Sequence, residues 1–271
     1  MKIPVMRGMI DRRILVNFQV APEALARILP APFRPKLINS VGMAGICLIR
    51  LKHIRPRLFP AALGMSSENA AHRMAVEWQD ATGRLQEGVY IPRRDTSSRL
   101  NALAGGRLFP GVHHHARFNV HETADRFEIA LRSDDDGTRL TVRANLAHEL
   151  PKTSVFQSLE HASAFFQAGS LGYSATADVR RFQGMELHCM NWQVEPLAVE
   201  EVHSSFFENS AAFPPGSFEF DCALLMRGIR HEWRAQQDLC CPAEAVPALQ
   251  PQIAGAHAQG AACELAAGAN R

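Results

Sequence analysis

Lysine is nearly missing from this sequence. Of 29 basic side chains only four are lysines, Lys2, Lys36, Lys52 and Lys152, and the rest are arginines. Arginine neither forms a Schiff base nor gives up its proton, so amine chemistry is confined to four side chains and the N-terminus. Cysteines at metal or redox spacing are also missing. The six cysteines are scattered without a Cys-x-x-Cys, and the adjacent Cys240-Cys241 suit neither a disulfide nor a zinc clamp. No apolar run is long enough to span a bilayer. Met1 to Arg13 lacks the apolar core of a secretion leader. These absences point to a reducing cytoplasm and no membrane partner. A net charge of +2 with spread basic residues argues against nucleic acid. There is no glycine-rich phosphate loop, dinucleotide fingerprint or Ser-His-Asp arrangement.

What is present reads as one domain over 1–241, followed by an Ala-, Gly- and Gln-rich tail over 242–271 expected to be flexible. Arg12 to Val20 alternates, with Ile14, Val16, Phe18 and Val20 on one side. Pro22 opens a short helix that Pro30 and Pro32 stop. Extended segments follow over 41–54, 71–78 and 88–92, with a turn at Asp80-Ala81-Thr82-Gly83. Asp95 to Ser98 offers N-caps for a helix through Leu100, Leu103, Arg107 and Leu108. Segments 113–121, 126–132 and 138–146 read as a three-strand antiparallel meander, apolar on one face. Ser158 to Ala168 is a helix, and 179–188, 192–196 and 219–233 are again extended. At least eight strands with two or three short helices predict an α+β fold. A mostly antiparallel sheet of this length closes or splits into two packed sheets, and a closed sheet gives an interior that can hold a small ligand.

The chemistry concentrates in the stretch from Gly105 to Val120, which holds three consecutive histidines. If 113–121 is a strand, His113, His115, Arg117, Asn119 and His121 share one face, and His114, Ala116, Phe118 and Val120 share the other. The polar face borders either bulk water or a wet pocket. In a pocket, His113 and His115 suit general acid–base work, because imidazole titrates near neutrality. The same H-x-H pair could present two ligands to a metal, with Glu68 or His72 as a third. The plain alternative is a pair of hydrogen-bonded strand residues. Arg93-Arg94-Asp95 is the second candidate. A guanidinium in a pocket would hold a carboxylate in a bidentate pair, and alternation lets only one of Arg93 and Arg94 face inward. His72 and Glu77 read as ordinary surface residues, and His161 and His231 as structural ones.

Five stretches carry a family resemblance. They are Pro22-Glu23-Ala24-Leu25 with Leu29-Pro30; Gly88-Val89-Tyr90-Ile91-Pro92-Arg93-Arg94-Asp95; Gly106 to His115; Ala164-Phe165-Phe166 with Gly172-Tyr173-Ser174; and Ser204-Ser205-Phe206-Phe207. In their order the chain resembles the uncharacterised bacterial YqjF-like family, domain of unknown function 2071, of the acetoacetate-decarboxylase-like superfamily. The resemblance implies an antiparallel barrel-like sheet around a pocket. The superfamily's best-known activity is decarboxylation of a β-keto acid through a lysine Schiff base. That lysine sits in a Phe-Gly-Tyr-Pro-Lys-Lys type of stretch, and Phe109-Pro110-Gly111-Val112-His113-His114 stands there instead. The Schiff-base mechanism therefore does not carry over. Lys52 or Lys152 would have to substitute from elsewhere. The resemblance also implies an acidic pocket residue, for which Glu68 is the candidate.

The resulting expectation is a small-molecule pocket acting on a small carboxylate or keto acid. Arg94 or Arg93 would anchor the carboxylate, and His113, His115 and Glu68 would move protons in a lyase- or isomerase-type reaction with no cofactor. A non-catalytic binding module and a metal-dependent enzyme on the H-x-H pair are the competing readings. A small organic acid is the expected partner, with a homo-oligomer left open.

Overall fold

The computed structural model describes residues 4–105 and 109–241. The first half holds β1 (Met6–Val20), α1 (Pro22–Ile28), the short β2 (Arg34–Pro35) and β3 (Leu37–Ile38), β4 (Val41–Pro56), β5 (Met65–Gln79) and β6 (Leu85–Thr96). Then come α2 (Arg99–Ala104), β7 (His114–Glu122), β8 (Arg126–Ser133), β9 (Arg139–Leu146) and α3 (Leu159–Ala168). The chain continues with β10 (Leu171–Ala175), β11 (Arg181–Cys189), β12 (Glu195–Ser204), β13 (Phe218–Ala235) and β14 (Leu239–Cys240).

The strands form one sheet that closes on itself twice. β6, β7, β8, β9, β12, β13, β1, β4 and β5 pair in that order, and a β5–β6 pairing completes a ring. β10 pairs with β6, and β11 with both β10 and β13, so a second ring runs β6, β10, β11, β13, β1, β4, β5. The two rings share the wall β13-β1-β4-β5-β6. Pairing is antiparallel except at β6–β7 and β6–β10, which are parallel. The fold is thus the expected α+β, mostly antiparallel sheet, as a mixed ring of strands rather than a regular barrel.

The shared wall explains why β1 and β4 carry nearly continuous apolar runs: both of their faces are buried. On β1, Ile14, Val16 and Phe18 enter the core of the first ring, while Leu15 enters the core of the second. Rings from distant segments fill the first core. Phe18, Phe207, Phe213 and Phe218 pack with centroid separations of 4.6–6.0 Å. Each buried aromatic contributes on the order of 2–3 kcal/mol of hydrophobic stabilisation. α3 covers the second core with Ala162 and Phe166. Its N-cap is Ser158, whose side chain accepts from the His161 N–H.

Several local expectations change. The helix after Ser98 is only six residues long and leaves Leu100 and Leu103 exposed; Arg107 and Leu108 lie outside the described residues. β10 follows α3 directly and was not expected. Cys240 is disulfide-bonded, although its spacing gives no sign of a partner. The tail over 242–271 lies outside the described residues. No helix among the described residues is long and apolar enough to cross a membrane.

His72 is a correction of a different kind. It is fully buried rather than on the surface, with its ring stacked on Phe206 at 4.4 Å and its Nε2 3.0 Å from Ser204 Oγ. Burial, reinforced by the Arg93 charge, pushes its pKa down to about 3. His231 is also buried, and burial lowers its pKa to about 4. Both imidazoles are therefore neutral in the folded state and become protonated in the unfolded state below about pH 6.5. The unfolded state then binds more protons, so stability rises with pH between about 4 and 6.5 and falls as pH drops through that window. Each histidine contributes at most about 1.4 kcal/mol per pH unit there. Thermal unfolding should show Tm falling between pH 7 and pH 5, with a shallower fall in His72→Gln. A Tm that stays flat over that range would contradict the neutral burial.

Candidate functional site

A cavity of about 110 Å³ lies on the second-ring face of the shared wall. Its wall comes from β1, β4, β5 and β6, with Phe109, Pro110 and His113 from the segment before β7, and Met185, Leu187 and Trp233 opposite. The lining is mainly apolar, apart from a few polar groups that include Arg13, Arg73, Arg94 and His113. That composition is usual for a small-molecule site.

A β-bulge decides which arginine enters. Along the β5–β6 ladder, His72 pairs with Arg93 but Met74 pairs with Tyr90, so β6 carries one extra residue across that step. The bulge spans Ile91 and Pro92, and Pro92 has no N–H to lose from the ladder. It rephases the side chains, so that Ile91 and Arg94 both line the cavity. Arg94 Nε donates to Ser174 Oγ at 2.9 Å. Arg93 points the other way. Its guanidinium pairs with Asp95 at 2.8 Å and with Asp135 at 2.7 Å, and His114 Nδ1 lies 2.8 Å from Asp135.

His113 lies just before β7 and is half-buried at the cavity. A tight turn holds it there. Gly111 adopts φ +76°, and its N–H donates to Gln183 Oε1 at 2.7 Å. A Cβ on Gly111 would come within 2.6 Å of the Ala175 carbonyl oxygen. Val112 N donates to that same carbonyl at 3.2 Å, which pins the segment to β10. His113 Nδ1 is 3.4 Å from the Gly111 carbonyl oxygen. Burial, and then the Arg94 charge, bring the His113 pKa down to about 3, so the imidazole is neutral at pH 7.

Arg73 and Arg13 complete the set. Arg73 is 6% exposed, donates to Asn17 Oδ1 and lies 4.9 Å over the Phe166 ring. Its Nε has no hydrogen-bond partner. Arg13 Nε donates to Cys47 Sγ at 3.3 Å, and its guanidinium lies 5.6 Å from the Trp192 ring. Burial lowers the pKa of Arg73 and of Arg94 to about 10, and both remain protonated at pH 7. None of Arg13, Arg73 and Arg94 forms an ion pair among the described residues, whereas other buried arginines do. Asp95 also lines the cavity, but Arg93 holds its carboxylate.

The remaining candidates sit elsewhere. His115 starts the polar face of β7, which is turned to solvent, and its Nδ1 is 2.7 Å from Asp134 Oδ2. His113 and His115 do not converge. Among the described residues no three His, Cys, Asp or Glu side chains come together as metal ligands. Glu68 is held by Arg12 and Arg50, each at 2.5 Å, in a cluster with Glu122, and does not line the cavity. Glu77 pairs with Arg34 at 2.9 Å. No lysine among the described residues lines the cavity. Lys36 pairs with Glu87, Lys52 with Asp11, and Lys152 is exposed. Arg13 and Arg73 were not singled out by the sequence. The signal available was an arginine on the inward side of each of two strands that are otherwise apolar.

Known structures share this architecture. Acetoacetate decarboxylase from Legionella pneumophila superposes with a TM-score of 0.55 at 13% identity, over 87% of this chain and 88% of that one. An acetoacetate decarboxylase-like enzyme from Sphingomonas wittichii RW1 gives 0.55 at 10% identity, over 89% and 94%. The enduracididine biosynthesis enzyme MppR, complexed with the condensation product of pyruvate and imidazole 4-carboxaldehyde, gives 0.54 at 10% identity, over 89% and 90%. No curated protein matches the sequence. The family model of domain of unknown function 2071, an uncharacterized conserved protein, matches residues 9–226. The chain belongs to that family, and its fold is the one found in acetoacetate-decarboxylase-like proteins.

Proposed function

We propose that the cavity binds a small organic acid, with Arg94 as the carboxylate anchor and His113 as the polar group facing the rest of the ligand. The observation that carries this reading is charge. Three guanidinium groups line one cavity, and no protein carboxylate pairs with any of them among the described residues. Buried charges need partners, so an anionic ligand is the natural complement. The fold neighbour MppR, which has been seen in complex with pyruvate, gives the size of ligand such a fold accepts.

The chemistry runs without an amine nucleophile, because the described lysines are tied up or exposed away from the cavity. A neutral His113 can donate an N–H to a keto oxygen. Together with the positive field of the arginines, it would stabilise negative charge developing on that oxygen during enolate-forming, lyase- or isomerase-type steps. Glu68, His115 and Arg93 take no part in this reading, since Glu68 and Arg93 are held in ion pairs outside it and His115 contacts Asp134. A second reading, a binding module without turnover, is favoured by one observation. An imidazole with a pKa near 3 is a weak base, and the Asp95 carboxylate at the same cavity is held by Arg93.

Calorimetric titration with pyruvate and acetoacetate should show binding to the native protein, and Arg94→Gln should weaken it at least about tenfold, the loss of one charge-assisted pair. Unchanged affinity in Arg94→Gln would remove the anchor assignment. Proton NMR of the same mixtures separates the two readings. Product formation that His113→Gln abolishes while binding persists identifies an enzyme, and binding without product identifies a module. Glu68→Gln should lower stability by about 1–3 kcal/mol, because the ion cluster keeps some solvent contact. It should leave ligand affinity unchanged. A matching loss of affinity would place Glu68 back in the site.

A further inference from the structure

We infer that the ligand of this cavity is a dianion with its two acidic groups at opposite ends, a small dicarboxylate rather than a monocarboxylate. This rests on the anion-binding reading above and extends it. Strand register fixes where the three guanidiniums originate. Leu15, Cys47, Ala71 and Arg94 are paired neighbours across β1, β4, β5 and β6, and therefore share one face. Arg13 stands two residues from Leu15 on β1, and Arg73 stands two residues from Ala71 on β5, so both are on that face too.

The centre of the patch is therefore small, Cys47 and Ala71, and the long cationic side chains rise around it. The backbones that carry Arg13 and Arg94 are three strand spacings apart, roughly 14 Å across the strands. They enter from opposite sides of the floor, with Arg73 on the strand next to that of Arg94. One carboxylate on Arg94 leaves Arg13 and Arg73 without an anion. Arg73 is nine-tenths buried, and its Nε has no hydrogen-bond partner among the described residues. The neutral groups near this pair, Asn17, Cys47 and the Phe166 and Trp192 rings, solvate a cation without neutralising it. A second acidic group does neutralise it. Cations that originate on different strands, Arg94 on β6 against Arg13 on β1 and Arg73 on β5, favour a ligand with two acidic groups over a compact anion such as phosphate, whose charge sits at one point.

The test is a calorimetric comparison of butanedioate, butanoate and inorganic phosphate on the full-length protein. Butanedioate should bind at least about thirtyfold more tightly than butanoate. Arg13→Gln should erase that advantage by costing butanedioate far more affinity than butanoate, and Arg73→Gln should reduce it in the same way. Arg13 is only half-buried, so its variant remains informative if the Arg73 variant fails to fold. Equal affinity for butanedioate and butanoate overturns the second subsite and leaves the Arg94 anchor standing. Phosphate binding more tightly than butanedioate overturns the extended diacid in favour of a compact dianion. No binding of any of the three removes both this inference and the reading beneath it.

Discussion

One extra residue in β6 decides the electrostatics of the whole cavity. Without the bulge at Ile91-Pro92, the side chain after Ile91 on that face would be Arg93, and Arg94 would project into the opposite layer. With it, Arg93 closes a buried ion pair with Asp95 and Asp135, and Arg94 enters a cavity in which, among the described residues, no carboxylate pairs with it. The two adjacent arginines thus have opposite environments. Arg93 is neutralised by the protein and holds the β6–β7 junction, where Asp95 and His114 are paired residues. Arg94 donates to the Ser174 hydroxyl and forms no ion pair among the described residues.

The doubled ring makes this arrangement affordable in structural terms. A wall buried on both faces can carry one fully apolar face and one face with charges, provided the charged face borders a cavity rather than packed side chains. β1 shows this residue by residue. Ile14 and Val16 pack among aromatic rings, while Arg13 reaches Cys47 and the cavity on the opposite face. Arg12, on the other side of the strand from Arg13, is balanced by Glu68 and Glu122. Arg12 and Arg93 are paired with carboxylates, whereas Arg13, Arg73 and Arg94 form no ion pair among the described residues.

Much of the sheet was legible because alternation in β7, β8 and β9 is a local property with one wet face. On β1 the same rule gave the two sides but not what covers them: Leu15 and Asn17, on the side opposite Ile14 and Val16, are both buried. Periodicity reports which side a residue takes and not what covers that side. His72 was missed for the same reason, since Phe206 covers it from over 130 residues away. The histidine stretch was half legible. The Phe109-Pro110-Gly111 turn keeps His113 off the strand, so His113 and His115 do not share the face that the spacing implied. The absence of a lysine at that position was readable outright, and among the described residues no lysine lines the cavity. The cluster of Arg13, Arg73 and Arg94 was not readable, because it depends on register across three strand pairings and on a bulge.

The central claim is that the cavity cations await an anion supplied from solution. A crystal structure of the protein grown with a small keto acid tests it most directly. The account predicts a carboxylate in bidentate contact with Arg94 at about 2.8 Å, and a carbonyl oxygen turned toward His113. A structure in which Arg94 pairs with a carboxylate of the protein itself, or in which the acid binds outside the cavity, would contradict it.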